Sequence, residues 1–481
     1  MDNNLEVHNP SYEELFSFYG QGYKLTIPPY QRPYVWDEKK VLQLLDDWKD
    51  FEENISSESC QRYYMGALII HVDNNRHLLN IVDGQQRLTT IMLIDFIMNK
   101  EDSALKKYQN LIDFTFSSHI SRTNIVLNSK FVKEELKNKY NTCIKNIFEH
   151  LKFSVVMTDN EDDAFTFFDS QNNRGIQPAA VDVMKAVHLR AIQNDDALRK
   201  KCAEKWQEIQ LISHNIFRNS PEEYLDNLVD MALWRIRRWK GNSFENDSSY
   251  DTAMDEFAEH PKKGNGNIVK LYAAQSICKI KFETGLDNHI LMPDNESDKV
   301  DKLFQFDIRQ PLYKGVSVFT YIETYHEIAK LLFIYKSDAK EINDMRNLFE
   351  KLYLNTNSSK YMSDYFIIMM IAYYDKFGSK HIFQFAKMID YVIGMNRLNK
   401  FYFKSISMRN FMQDYNILDR LQTCFDPDDV IEYMASLELK DNSNPPDNGP
   451  IKNYISACKS YYKKEYDGDI RDVKLKWAKY E

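Results

Sequence analysis

Apolar and polar positions change their rhythm several times along the chain, and each rhythm predicts an element. Residues 12–19 form a short amphipathic stretch that predicts a first helix. Residues 23–27 alternate and predict a strand that ends at Pro28-Pro29. After Asp37, a good N-cap, Val41, Leu42, Leu44, Leu45, Trp48 and Phe51 recur at helical spacing. Two apolar runs, 63–72 and 77–82, flank the turn Asp73-Asn74-Asn75-Arg76 and predict paired strands. The run 88–98 is apolar almost all round, which predicts a buried helix. Residues 101–160 read as mostly helical. From Lys200 onward helical spacing dominates, with a stripe of Leu225, Leu228, Val229, Ala232, Leu233 and Ile236. Residues 316–335, 361–377 and 381–395 read as core helices, with breaks at 241–249, 260–267 and 441–450. Strands early and helices late predict an α+β protein: a mixed α/β core followed by a mainly α-helical C-terminal region. The expected division is 1–110, a helical extension over 111–240, and 241–481.

Composition narrows the class. The 481 residues are 43% hydrophobic and 28% charged, which is enough apolar material for real cores. Lys plus Arg number 62 against 71 Asp plus Glu, a net charge of −9. That argues against a protein coated in basic charge for nucleic acid, while leaving room for a local basic groove. Six scattered cysteines without a C-x-x-C pair argue against a disulfide framework or a structural zinc site and fit a reducing compartment. No basic-then-apolar leader opens the chain and no window suits a membrane helix, so a soluble, cytoplasmic protein is expected.

Candidate chemistry sits where the second strand of the pair meets the buried helix. There Asp83-Gly84-Gln85-Gln86-Arg87 crowds five small, polar and charged residues into one turn. A helix that starts in such a turn offers backbone N–H groups and the positive end of its dipole to an anion. Gly84 allows unusual dihedrals and close approach, Arg87 offers a planar fork, and Gln85 and Gln86 both donate and accept. The plainer alternative is a polar turn whose Arg pairs with a neighbouring acid. Two other stretches bear on the choice. In Pro29-Tyr30-Gln31-Arg32-Pro33-Tyr34-Val35-Trp36, three prolines stiffen a loop that displays Gln31 and Arg32. In Asn172-Asn173-Arg174-Gly175, the glycine reads as a helix end, and Pro178 opens a new helix with Asp182 and Lys185 three apart on one face. Each has a structural alternative: aromatic plugs for the core, and a helix-loop-helix with one surface ion pair.

Taken together and in order, the three stretches resemble the N-terminal domain family of GmrSD-type, modification-dependent restriction enzymes, whose core is similar to ParB and sulfiredoxin. The resemblance covers roughly residues 10–240. It departs from the family pattern at Pro178, where a Leu is usual. It implies a domain that binds and hydrolyses a nucleoside triphosphate with Mg²⁺ in bacterial defence against phage with modified DNA. Carried over by position, Asp83 and Arg87 are the implied catalytic residues. Gln31, Arg32, Gly84, Gln85, Gln86, Asn172, Arg174, Asp182 and Lys185 are the implied nucleotide-binding residues. DNA and a nuclease or other effector protein are the implied partners, and a homo-oligomer is compatible with the pattern.

Family members often carry a C-terminal His-Asn-His nuclease. Residues 287–293 hold His289 and Pro293 in a superficially similar run, but with one extra residue before the proline and no matching downstream pattern. His289 is therefore expected in a loop, and the chain is expected not to cut DNA alone. Trp234-Arg235-Ile236-Arg237-Arg238-Trp239-Lys240 can be read as a base-stacking, phosphate-gripping cluster. Its spacing reads better as core aromatics with Arg side chains reaching solvent. Two alternatives to the nucleotidase stay open: a non-catalytic DNA sensor or clamp on a ParB-like fold, and a complete nuclease with an unrecognised C-terminal site.

Overall fold

Short apolar runs carry the first part of the chain into a six-stranded mixed sheet. The computed structural model describes residues 5–17, 22–28, 31, 33–54, 61–116, 118–140, 143–144, 146–161, 163–164, 167, 179–210, 216–217, 224–241, 243–244, 250–271, 280–284, 289–293, 306–356, 359–439, 449–462 and 478. The chain divides into two compact units, Met1–Pro178 and Ala179–Glu481.

In the first unit the strands are β1 (Leu5–His8), β2 (Lys24–Thr26), β3 (Tyr63–Asp73), β4 (Leu78–Asp83), β5 (Ile112–Asp113) and β6 (Leu151–Thr158), in the spatial order β1-β6-β3-β4-β2-β5. β3 and β4 form the expected antiparallel hairpin, with Ile70 opposite Ile81. β6 runs parallel to β3 on one side, and β2 runs parallel to β4 on the other. The helices that pack with the sheet include α1 (Tyr12–Ser17), α2 (Glu38–Asn54), α3 (Gln85–Asn99) and α4 (His119–Glu135). Leu45 and Trp48 of α2, Ile91 and Ile94 of α3, and Leu68, Ile70, Phe153 and Val155 of the sheet share one core. Asp37 caps α2 as its position suggested, accepting from the Lys40 N–H at 3.0 Å.

Two expectations for the first unit need correction. Residues 101–160 are not simply helical, because β5 and β6 lie within them. Leu151, Phe153, Val155 and Met157 are buried at every second position, a period-2 signal that the surrounding helical spacing masks. The buried helix also begins earlier than its apolar run, at Gln85 rather than Leu88. Gln85, Gln86 and Arg87 are thus its first turn, not a loop. The one carboxylate in its middle, Asp95, is matched by the Tyr12 hydroxyl at 3.0 Å, the Asn99 amide at 2.7 Å and the Ala104 N–H at 2.7 Å. Such matching is what lets α3 stay buried.

The second unit is mainly helical. Its principal helices are α5 (Ala180–Ala191), α6 (Asp196–Gln210), α7 (Val316–Phe333), α8 (Lys340–Phe349), α9 (Lys360–Phe377), α10 (Ile382–Leu398) and α11 (Gly449–Tyr462). The α+β class read from the sequence is what the structure shows. The stripe at 225–236 is helical and includes a π segment at Asn227–Leu233. Trp234, Ile236 and Trp239 are buried, so the core reading of that cluster holds. Its arginines do not simply reach solvent, however. Arg237 donates to the Ile308 and Gln310 carbonyls and pairs with Glu256, and Arg238 pairs with Asp255 and Glu256. His289 opens a strand, β8 (His289–Pro293), paired antiparallel with β7 (Ile280–Thr284), instead of lying in a loop. Among the described residues the cysteines Cys143, Cys202, Cys424 and Cys458 are free, and no helix is long and apolar enough to cross a membrane.

Candidate functional site

β4 is an inner strand, and at its C-terminal end one residue, Gly84, turns the chain into α3. Gly84 has φ +91°, and a Cβ there would lie 2.2 Å from the Leu68 Cδ2 atom and 3.3 Å from the Ala67 carbonyl. Backbone conformation and space both demand glycine. The Leu88 N–H closes the first helical bond to the Gly84 carbonyl at 2.9 Å. No side chain caps this helix start. The uncapped first turn therefore presents the positive end of a fifteen-residue helix at the C-terminal end of β4.

Arg87 is held from behind. Its Nη1 donates to the Met65 carbonyl at 2.9 Å, and its Nη2 donates to the Ala67 carbonyl at 2.7 Å and reaches Asp83 at 3.5 Å. The notch that receives it is a bulge in β3, where the register with β6 shifts between Tyr64 and Ala67 and Gly66 takes φ +93°. A Cβ on Gly66 would sit 1.8 Å from the Arg87 Nη1 atom. Asp83 and Arg87 stay about a quarter exposed, so their remaining hydrogen-bonding capacity is open to solvent. Sequence reasoning missed Gly66, although a lone glycine inside an apolar strand run is the usual sign of a bulge.

The proline-rich loop is fastened to the same helix. The Gln86 amide accepts from the Val35 N–H at 2.9 Å and donates to the Pro33 carbonyl at 2.9 Å. The Gln31 amide donates to the Ile81 and Val82 carbonyls at 3.0 and 2.6 Å, tying the loop to the end of β4. Between them Tyr34 is fully buried. Its hydroxyl meets Thr90 at 2.8 Å and accepts from the Asn128 amide at 2.9 Å, while Ser121 accepts from its backbone N–H. Burial pushes the Tyr34 hydroxyl above its ordinary pKa, which keeps it a neutral rivet. Gln31 and Gln86 thus act first as fasteners, Tyr34 is the aromatic core plug of the structural alternative, and Thr90 and Asn128 are partners that the sequence did not single out.

Gln85 differs from Gln86. It is 4% exposed, and its Oε1 has no hydrogen-bond partner among the described residues. One turn on, the buried Thr89 hydroxyl is also without a partner. Residues four apart share a helix face, so the two unmatched oxygens belong to one side of α3. Among the described residues no group of three or more His, Cys, Asp or Glu could hold a metal ion by itself. Asp83 can offer one carboxylate, a donor set that suits Mg²⁺ carried on phosphates better than an all-protein cage.

The structure brings together Gln31, Asp83, Gly84, Gln85, Gln86 and Arg87. Asp182 and Lys185 lie on α5 in the second unit, where Asp182 accepts from the Gln210 amide at 3.0 Å. Lys185 is 1% exposed with an unpartnered Nζ, and burial lowers its pKa to about 8 against the opposing pull of Asp182. The surface ion pair imagined for that helix is therefore a buried ammonium near a half-buried carboxylate. Arg32, Asn172 and Arg174 lie outside the described residues.

Residues 12–189 match the family model described as GmrSD restriction endonuclease, N-terminal domain. Residues 198–449, just over half the chain, match one described as a family of unknown function, DUF7834, and no nuclease model matches the C-terminal part. No curated protein matches the chain.

Proposed function

The chain belongs to the DUF7834 family and carries ahead of that region a GmrSD N-terminal domain, which suggests a restriction-system role; from that premise we propose that it binds and hydrolyses a nucleoside triphosphate. The carrying observation is the start of α3. An uncapped helix N-terminus stands beside the Asp83–Arg87 pair and a buried glutamine with an unmatched acceptor. Phosphate oxygens suit the helix N-terminus and the guanidinium N–H groups that Arg87 does not spend on β3. The Gln85 Oε1 needs a donor, which a ribose hydroxyl, a base amine or an attacking water supplies. When bound, Mg²⁺ would neutralise phosphate charge, and Asp83 would hold it through water. In this reading the chain is the nucleotide-driven subunit of a bacterial anti-phage system that senses or restricts modified DNA. A partner nuclease supplies cleavage.

The Trp234–Arg238 helical segment is core and lends no support to DNA binding, while a non-catalytic DNA sensor on the same N-terminal domain differs from this reading in having no nucleotide turnover. The deciding experiment is nucleotide binding and phosphate release by the purified full chain with Mg²⁺, using ATP, GTP, CTP and UTP, with and without DNA. Arg87→Ala alone would confuse chemistry with folding, because Arg87 also closes the β3 bulge. Asp83→Asn and Gln85→Met are cleaner. We expect turnover of at least one nucleotide, lost 100-fold or more in Asp83→Asn at an unchanged melting temperature. Folded protein that binds none of the four, with or without DNA, removes the nucleotidase reading.

A further inference from the structure

Within the second unit, α6 and α7 enclose a cavity of about 260 Å³ that is distinct from the α3 site. Its floor is apolar, formed by Leu198, Trp206 and Ile209 on α6 and by Val316 and Phe319 on α7. Trp206 and Phe319 meet edge to face with ring centroids 5.3 Å apart, which gives the floor a rigid aromatic wall. The rim is charged: Lys201 and Lys205 on one side and Glu323 on the other. Lys205 pairs with Glu323 across the mouth. No carboxylate pairs with Lys201 among the described residues, so the rim keeps one positive charge in excess.

Trp206 is 1% exposed and its indole N–H is closed off from solvent, so Trp206 serves the cavity through its ring. Thr320, also on the wall, already donates its hydroxyl to the Val316 carbonyl at 3.0 Å and can only accept further. The cavity therefore offers the cationic charge of Lys201 over an apolar floor. Cys202 lines it too, but burial raises that thiol to about 11, so it supplies no thiolate for chemistry.

We propose that the α6–α7 cavity is a binding site for a small amphipathic monoanion, a carboxylate on a short aliphatic or aromatic body, with the apolar body against Trp206 and Phe319 and the head at Lys201. The size sets the class, because a cavity of this volume lies below the ~300–1,000 Å³ typical of drug-sized ligands. This site does not depend on the nucleotide reading of the first unit.

The test is calorimetric titration of the full chain with octanoate and 3-phenylpropanoate, beside octanol and octylamine as neutral and cationic counterparts. We expect saturable binding of at least one carboxylate at one site per chain, and at least tenfold weaker binding of octanol and octylamine. Lys201→Glu, at an exposed position, is expected to weaken carboxylate binding tenfold or more. Thr320→Trp, which fills the cavity, is expected to abolish it. Melting temperatures of both variants serve as the folding check. Absence of saturable binding by both carboxylates overturns the proposal. So does equal affinity for all head groups, or wild-type affinity in Lys201→Glu.

Discussion

Gly66 decides where Arg87 can rest, and through Arg87 it fixes the turn that starts α3. Its φ of +93° is costly for any residue with a Cβ, and that Cβ would occupy the place of the Arg87 Nη1 atom. Gly22 provides the matching control: φ is +85°, but nothing lies within 4 Å of a Cβ there. Gly22→Ala should lose only the backbone term, roughly 1 kcal/mol. Gly66→Ala should lose that plus the displacement of a guanidinium from two carbonyls, on the order of 2–3 kcal/mol in all. Urea unfolding of the two variants measures the difference. Equal losses would mean that Arg87 is not seated in the bulge.

At the scale of elements, α3 shows two kinds of polar face. Gln86 and Thr90 grip the loop at 33–35, while Gln85 and Thr89 hold unmatched oxygens. Gln86→Leu would orphan the Val35 N–H and the Pro33 carbonyl and should cost about 1–3 kcal/mol. Tyr34→Phe removes the hydroxyl that joins Thr90 and Asn128. Because both side chains secure one loop, the losses should be non-additive by roughly 0.5 kcal/mol or more in a double-mutant cycle followed by urea unfolding. Strict additivity would show that the loop is not one fastened unit. This also explains what the sequence could reveal. The Asp83 turn was legible because a short apolar run gives way there to polar residues and then an all-apolar helix, and Gly84 marks the junction. The division of labour between Gln85 and Gln86 was not, because adjacent glutamines look alike until the partners of Gln86, Val35 and Pro33, are known. β6 was legible in principle from Leu151, Phe153, Val155 and Met157, but β1 and β5, at four and two residues, are too short to carry a period.

Across the whole molecule, net charge says little about stability, whereas a few buried titratable groups in the second unit say a good deal. His188 lies on α5, where its Nε2 meets the Phe257 carbonyl at 2.5 Å and its Nδ1 accepts from the Gly315 N–H at 3.2 Å. Burial lowers it to about 4, and burial does the same to His326. Both are protonated more readily unfolded than folded, so the stability they contribute is present above about pH 6.5 and is lost as pH falls toward 4. Asp375 works in the opposite direction. Burial raises it from 3.8 to about 7, even though the Tyr325 hydroxyl donates to it at 2.7 Å and the Ile308 N–H at 3.1 Å. Its proton is held more tightly in the folded state, so its contribution is full below about pH 3.8 and is lost as pH rises through 7. Asp375 therefore offsets only one of the two histidines between about pH 4 and 6.5, and wild-type stability should still rise with pH there with the slope of about one proton. Asp375→Asn removes one side of that balance. The amide is nearly isosteric, can accept from the Ile308 N–H, and can donate to a Tyr325 hydroxyl that turns to accept. The variant's stability relative to wild type should improve by on the order of 2 kcal/mol between pH 5 and pH 8, read as urea midpoints at the two pH values. An equal difference at both would mean that Asp375 is ionised throughout, with its charge matched inside the helical unit.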